Sequence, residues 1–448
     1  MDLPADLFLD DVVLVEGAGA RGPTDVLLRG GRIAATGDLV PEPGVTVVTG
    51  GYVTPGLIDS HVHISMAPGA AWRPEDAPEA LAARRAAHLR SYLACGVTSL
   101  LDPALLPEDA RSIRALEAAG PSPNVFLLGP AISPTDGYVA VVIPTFPSAS
   151  VPADLPPLFD TFTGLDPVGV KITMETGSLY PIWPVHTPEM RAALVAESDR
   201  RGLPRYVHAM SEDMYEAGLD LKPHTFVHAP QSPLSDELLA RVAASGAYVS
   251  PTMAIAGTSL YAWHPEVLED PWLIARVPAD ELATARDPAN QDRFMHAMLD
   301  TLAPIVPKFL QGLLIKVAGS EGAVQSRLDD TQAAVRQLHE AGVPLVVGSD
   351  SGNWPIILYM FHGPSTHLEL ELMVSAGLTP LEALAAATAT PAKMLGREGE
   401  IGSLQVGAVA DLLVLDADPS QSVGALKQPR LVVRAGHART PEQWLATP

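Results

Sequence analysis

VTPGLIDSHVH, residues 53–63, closes a short apolar run with two histidines, His61 and His63, one residue apart. In a β-strand alternate side chains point to the same face and sit roughly 6–7 Å apart. Both imidazoles can then reach one metal ion while Val62 packs the other way. Pro55-Gly56 is a turn signal that marks where the strand begins. A bare His-x-His is weak evidence by itself. It gains weight only if residues of ligand type also close the strands that follow.

Outward from this stretch, short apolar runs alternate with longer Ala/Leu/Arg/Glu-rich stretches of helical spacing. Strands are expected at 57–63, 97–101, 125–128, 168–173, 205–208, 225–228, 247–250 and 345–348. Helices are expected at 78–94, 108–119, 188–201, 211–217, 235–245 and 331–341. Ser235-Asp236 offers the helix at 235–245 an N-cap, and Gly246 a stop. Repeated strand–helix units imply an α/β fold, a parallel sheet closed as a (β/α)8 TIM barrel over residues 55–402. The alternative, a doubly wound open sheet, would usually place a Gly-rich phosphate loop after its first strand, and none is visible.

The two ends read differently. Apolar runs at 8–15, 26–28 and 33–36 flank Arg29-Gly30-Gly31-Arg32, whose Gly pair signals a hairpin. Runs at 410–415 and 431–435 repeat that style. Residues 1–54 together with 403–448 are therefore expected to form a small β-sandwich beside the barrel. Residues 253–330 exceed what one strand–helix connection needs. They are expected to make a helical excursion beside the mouth, where barrel enzymes vary their pockets.

Composition narrows the function. A 448-residue chain with 47% hydrophobic residues can bury a large core, yet no apolar run approaches the roughly 20 residues that cross a bilayer. The start, Met1-Asp2-Leu3-Pro4-Ala5-Asp6, lacks the basic-then-apolar order of a signal peptide, so a cytoplasmic protein is expected. Cys95 is the single cysteine, which excludes an intrachain disulfide framework and a cysteine-built zinc site. Before Gly96-Val97 it is expected as a small buried residue. A net charge of -23 disfavours nucleic-acid and anionic-membrane partners, both of which need basic surface. Self-association is compatible with the sequence, but no stripe of residues identifies it.

The later ligand candidates fall at consistent places. Lys171 ends Val168-Gly169-Val170-Lys171, His208 ends Tyr206-Val207-His208, His228 ends Phe226-Val227-His228, and Asp350 ends Val346-Val347-Gly348-Ser349-Asp350. Each closes an apolar run, and in a barrel that is the face where catalytic groups gather. Any one of them could be structural, since Asp often opens a turn. All four together with His61 and His63 form a specific set.

Here the chain resembles the amidohydrolase superfamily of metal-dependent hydrolases, over nearly its whole length. The resemblance rests on PGLIDSHVH, the split terminal β-structure, VVGSD, and LTPLEALAAATATPAKMLGREGEIGSLQVGAVADLLVLD. It implies two divalent ions, with zinc the expected metal. His61 and His63 would bind the more buried ion, and Lys171, carboxylated by carbon dioxide, would bridge both. His208 and His228 would bind the second ion, and Asp350 would bind the first and act as base. Lys171 separates branches: the mononuclear deaminase-like branch lacks it, whereas the binuclear, prolidase-like branch has it. Within that branch the chain looks most like dipeptidases and N-acyl amino-acid amidases, a group that includes ochratoxin-type amide hydrolases.

The chemistry agrees with that transfer. A protonated lysine is unwelcome beside a cation, whereas a desolvated neutral amine can react with carbon dioxide to give an anion. Imidazoles and carboxylates are ordinary Zn²⁺ ligands. Two metals can lower the pKa of a bridging water and polarise a carbonyl, so a metal-bridging hydroxide would attack an amide or peptide C–N bond. Asp350 could take the water's proton and deliver it to the leaving nitrogen. Asp59, two residues before His61, is expected behind the ligands rather than among them.

Some residues depart from the branch's pattern. Ser133-Pro134-Thr135-Asp136-Gly137-Tyr138 replaces a Gly-rich segment, Met174-Glu175-Thr176-Gly177 replaces the usual Ser-Gly-Gly, and Val227-His228-Ala229 replaces Glu-His-Gly. Tyr138, Tyr180, Trp183 and Trp354 fall in loops expected to face the mouth, which would suit an apolar or aromatic substrate side chain. Tyr138, Trp354 and His367 are the candidate substrate contacts, His367 because it opens a helix after Asp350. His362 could contact substrate or order its loop. No Gly-x-Ser-x-Gly elbow occurs. The expected function is a metal-dependent amidohydrolase acting on a small-molecule amide such as a dipeptide or N-acyl amino acid. The alternatives are a mononuclear imidazolonepropionase-like cyclic-amide hydrolase or deaminase, and a non-enzymatic scaffold that has lost its ligands. Filled ligand positions speak against the scaffold.

Overall fold

The protein is described here by a computed structural model covering residues 6–66, 77–142, 146–177, 183–290, 320–352 and 358–446. Strands β1 (Leu7–Glu16), β2 (Gly19–Arg29) and β3 (Arg32–Gly37) form an antiparallel meander, followed by β4 (Thr46–Thr49) and β5 (Tyr52–Pro55). The β2–β3 turn is the expected Gly30-Gly31 hairpin, with φ of +59° and +77°. Positive φ at both central positions is the type I′ geometry that glycine adopts without steric cost.

Two parallel arcs come next. The first comprises β6 (Leu57–Asp59), β7 (Val97–Asp102) and β8 (Asn124–Leu127). The second comprises β9 (Ala131–Ile132), β10 (Val170–Thr173), β11 (Arg205–His208), β12 (Thr225–Val227) and β13 (Tyr248–Ser250). Near the C-terminus, β14 (Leu412–Leu415), β15 (Pro429–Arg434) and β16 (His437–Arg439) return to the first strands. Among the described residues the terminal strands make one eight-stranded sheet, ordered β16-β15-β14-β5-β1-β2-β3 with β4 beside β1. Strands from the two ends of the chain thus pair with one another. The core of this sheet is the apolar set Leu9, Val12, Leu14, Val26, Leu28, Val53, Leu412, Val414 and Val433.

This sheet sets the entrance to the first arc. β5 pairs with β14, the Gly56 amide bonds Asp411 O at 2.9 Å, and the chain enters β6 at once with Leu57 N on Gly96 O at 3.0 Å. Backbone hydrogen bonds also tie the arcs together. Val168 N reaches Leu127 O at 2.8 Å beside β8. On the other side, residues 344–350 are bonded to β13 through Val346 N and Val249 O (2.9 Å), and to the β6 side through Ser60 N and Val347 O (2.8 Å).

The strand expected at 345–348 is therefore in place without being a regular ladder. Only the isolated bridges Val249–Leu345 and Val62–Ser351 form. A Cβ on Gly348 would overlap Ser250 Oγ and His61 Cβ, so the backbone passes too close for ordinary pleating. β6 likewise ends at Asp59 rather than 63, although Val62 N still bonds Leu101 O at 3.0 Å.

Helices Pro78–Ala94 and Pro188–Arg201 match expectation, each with proline in the first turn, where its missing N–H costs nothing. Ser235 sits at the N-cap of Asp236–Ser245 without a side-chain capping bond, and Gly246 ends that helix at φ +71°. Helix Glu321–Glu340 starts earlier than 331 because the Ser320 side chain accepts from Ala323 N. The excursion contains helices Ala254–Ser259, Pro271–Ile274 and Ala279–Arg286, and its Leu268, Leu273 and Leu282 pack on Tyr359 and Phe361. Among the described residues no helix is long and apolar enough to cross a membrane.

Candidate metal centre

The C-terminal ends of the parallel strands converge on a buried cluster of nitrogen and oxygen atoms. Asp350 Oδ1 lies 3.2 Å from His61 Nε2 and 2.9 Å from His63 Nε2. The His61 and His63 rings are 5.2 Å apart, so both side chains turn to the same side just past the end of β6. Lys171 Nζ stands 3.4 Å from His61 Nε2. His228 brings its ring to 5.4 Å from that of His61 and 4.4 Å from that of His208. All six residues are buried. Ligand atoms of His61, His228 and Asp350 lie within 4.8 Å of one another, a spacing that one ion can span.

The backbone is shaped to make this convergence. His228 (φ +72°), Thr252 (φ +55°) and Asp350 (φ +57°) all occupy the left-handed region. Such conformations cost about 1–3 kcal/mol each for residues with a side chain and cluster at functional sites. They turn the chain at the strand ends. Asp59 braces the same corner: it accepts from His61 N (3.3 Å), Ser349 N (3.0 Å) and Thr366 Oγ1 (2.6 Å). Asp102 does so one strand over, accepting from Ile64 N (2.7 Å) and Ala104 N (3.1 Å). Burial pushes the carboxyls of Asp59 and Asp102 up, to about 6 and about 7.

Electrostatics favour neutral bases around one anion. Burial pushes the Lys171 amine down to about 8 against the pull of Asp350 and Asp102. Burial, then the charge of Lys171, lowers His61 to about 3, and burial lowers His228 far below its ordinary value. Burial alone would raise Asp350, but its hydrogen bonds with His61 and His63 outweigh burial and hold the carboxyl well below the usual range. Neutral imidazoles, an ionised carboxylate and a poised amine are the protonation states that cation ligands require.

Polar groups that contact the cluster include two that the sequence did not single out. Glu175 Oε2 lies 3.1 Å from His208 Nε2, and its Oε1 accepts from Gly177 N at 2.7 Å. Thr252 Oγ1 lies 2.7 Å from His228 Nδ1. The signal for Glu175 was its place just past a strand end, in the segment that departs from the branch's pattern. Thr252 gave no comparable signal.

The candidate substrate residues divide. Tyr138 stands over the cluster, its ring 5.5 Å from His208 and 5.0 Å from Trp183, with burial raising its hydroxyl pKa. Met66, Val139 and Phe146 share its apolar cluster. His367 is not brought in. It lies inside helix Pro364–Ser375, buried, with Nε2 2.8 Å from Cys95 O and its ring edge-on to Trp272 at 5.4 Å. Its neighbour Thr366 is the residue this helix turns toward Asp59. His362 orders its loop, placing Nε2 2.7 Å from Met66 O and stacking on His88 at 3.8 Å. Trp354 and Tyr180 lie outside the described residues. Cys95 is fully buried, which raises its thiol to about 12.

Known proteins share this architecture. The profile described as the Amidohydrolase family matches residues 52–438. The solved structure of a Xaa-Pro dipeptidase with bound methionine in its active site superposes with a TM-score of 0.74 at 19% identity, covering 97% of this chain and 100% of that one. Ochratoxinase of A. niger superposes with a TM-score of 0.70 at 18% identity, covering 98% and 96%. A local likeness joins the chain to imidazolonepropionase of Aeromonas hydrophila, 39% identical over 83 residues, which is 18% of each chain.

Proposed function

Because the chain belongs to the amidohydrolase family, we propose that it is a binuclear metal hydrolase that cleaves an amide C–N bond in a small molecule, a dipeptide or N-acyl amino acid. On this reading the two parallel arcs close as a (β/α)8 barrel, and the ligands stand at its C-terminal mouth. The observation that carries it is the buried convergence of Asp350 with His61 and His63, with Lys171 and His228 beside them.

His61, His63 and Asp350 would hold one divalent ion, His208 and His228 the other, and a carboxylated Lys171 both. Bound zinc ions would supply Lewis acidity toward a carbonyl oxygen and toward water. The chain's own residues do the rest. Asp350, ionised at the floor of the site, accepts the proton of the attacking water and returns it to the departing nitrogen. The amine of Lys171, lowered to about 8, is neutral often enough to add carbon dioxide. Tyr138, Trp183, Met66 and Phe146 exclude water on the His208 side and favour an apolar or aromatic substrate side chain. The likeness to imidazolonepropionase is confined to a short segment, so the mononuclear alternative has less support than the binuclear reading.

The test is turnover of a panel of dipeptides and N-acyl amino acids by wild type, Lys171→Ala and Asp350→Asn. Both variants should fold by circular dichroism and be inactive. Full activity in either would sink the assignment.

A further inference from the structure

Glu175 has no part in the proposed reaction, yet it is only 4% exposed beside the cluster. Burying a carboxylate is costly unless each oxygen finds a partner. Here Oε1 receives the Gly177 amide at 2.7 Å, and Oε2 meets His208 Nε2 at 3.1 Å. We infer that Glu175 is a positioning residue for the second ion: it holds His208 by Nε2 and so presents the ring's other nitrogen, Nδ1, for coordination. This rests on the binuclear reading of the site.

Four observations favour orientation of the ring over a role in joining strands. The ends of β10 and β11 are already tied by their own backbone, Met174 N bonding His208 O at 3.0 Å. The carboxylate is itself fixed, because the Gly177 amide clamps the oxygen that does not face the histidine. The ring has little freedom besides, with Tyr138 at 5.5 Å on one side and His228 at 4.4 Å on another. His228 is treated in the same way, since its Nδ1 is held by Thr252 Oγ1 at 2.7 Å and its Nε2 is left for the cluster. A carboxylate on the far nitrogen of a ligating histidine fixes tautomer and direction and raises the basicity of the coordinating nitrogen. The Met-Glu-Thr-Gly at 174–177, which departs from the branch's usual Ser-Gly-Gly, thus acquires a specific purpose.

The experiment titrates the full-length apoprotein with Zn²⁺ in bicarbonate buffer against a chromophoric chelator, for wild type, Glu175→Ala and Glu175→Gln. The melting temperature of each metal-free protein is recorded alongside. The expected result is two ions in wild type. In Glu175→Ala the second should bind about 10–100-fold more weakly, with the first unchanged. Glu175→Gln, which keeps the shape and one acceptor, should lose less, and the metal-free melting temperatures should coincide. If wild type takes two ions and both variants bind the second as tightly, the inference falls and the binuclear reading stands. Fewer than two ions in wild type overturns both. Equal loss of both ions in Glu175→Ala, or a destabilised metal-free Glu175→Gln, marks a merely structural residue and overturns the inference.

Discussion

The two histidine pairs of the cluster are held by different means. His61 and His63 belong to one short segment just past β6, and their spacing of one residue brings both rings to Asp350. Their Nδ1 atoms are buried and have no hydrogen-bond partner among the described residues. His208 and His228 come from separate strands, and each has a ring nitrogen tied to a side-chain oxygen, of Glu175 and Thr252 respectively. Covalent spacing thus directs the first pair, whereas polar contacts direct the second. Two rings set one residue apart on one segment need no outer partner to meet. Two rings brought together only by tertiary structure do.

That contrast can be broken from either side. The largest effect is expected at the residue that serves the first pair and the chemistry at once. Asp350→Asn should lower kcat/KM by at least about 10²–10⁴-fold, the span of a lost general base, in steady-state assays on the amide panel. Gly348→Ala attacks the first pair through its backbone, since the new methyl would overlap His61 Cβ and Ser250 Oγ. It should cost about 1–3 kcal/mol in denaturant unfolding and weaken the first ion, because only backbone placement aims those rings. Thr252→Val keeps the shape and removes the bond to His228. It should weaken the second ion by about tenfold in chelator competition and leave the first alone. Equal loss of both ions would erase the distinction between the pairs.

The smallest effect concerns the support beneath the second pair. Glu369, fully buried, accepts the amide of Ala254 at 2.7 Å, just past Thr252. Burial raises its carboxyl from the ordinary 4.5 to about 8. Below pH 4.5 the acid is neutral in both folded and unfolded chains, so it has no net effect. As pH rises from there toward 8 the unfolded chain ionises first, and stability falls. Glu369→Gln should therefore stabilise the protein by on the order of 1 kcal/mol at pH 7, with no gain at pH 4, in unfolding measured at both pH values.

The same contrast explains what could be read in advance. His61 and His63 were legible because strand geometry alone relates them. Lys171, His208, His228 and Asp350 were legible as apolar runs ending in a ligand type. Glu175 reads in the sequence only as an irregularity, because its neighbours depend on which strand ends adjoin, and that is fixed by Thr173 pairing with His208 in the β10–β11 register. His367 stands apart from the cluster for a related reason: it is close to Asp350 along the chain, but the helix turns Thr366 toward Asp59 and His367 toward Cys95. The run at 345–348 reads as a strand, yet close packing at Gly348 and the left-handed Asp350 leave its ladder irregular. The place of β5 between β1 and β14 also escaped the sequence, because it joins strands from the two ends of the chain.

A two-ion site bridged through Lys171 can be seen directly in a crystal structure of the protein reconstituted with zinc and bicarbonate, read at the Lys171 side chain. The expected result is density for a carboxylate group added to Nζ, lying between two ions, with His61, His63 and Asp350 on one and His208 and His228 on the other. A bare Nζ beside a single ion would contradict it.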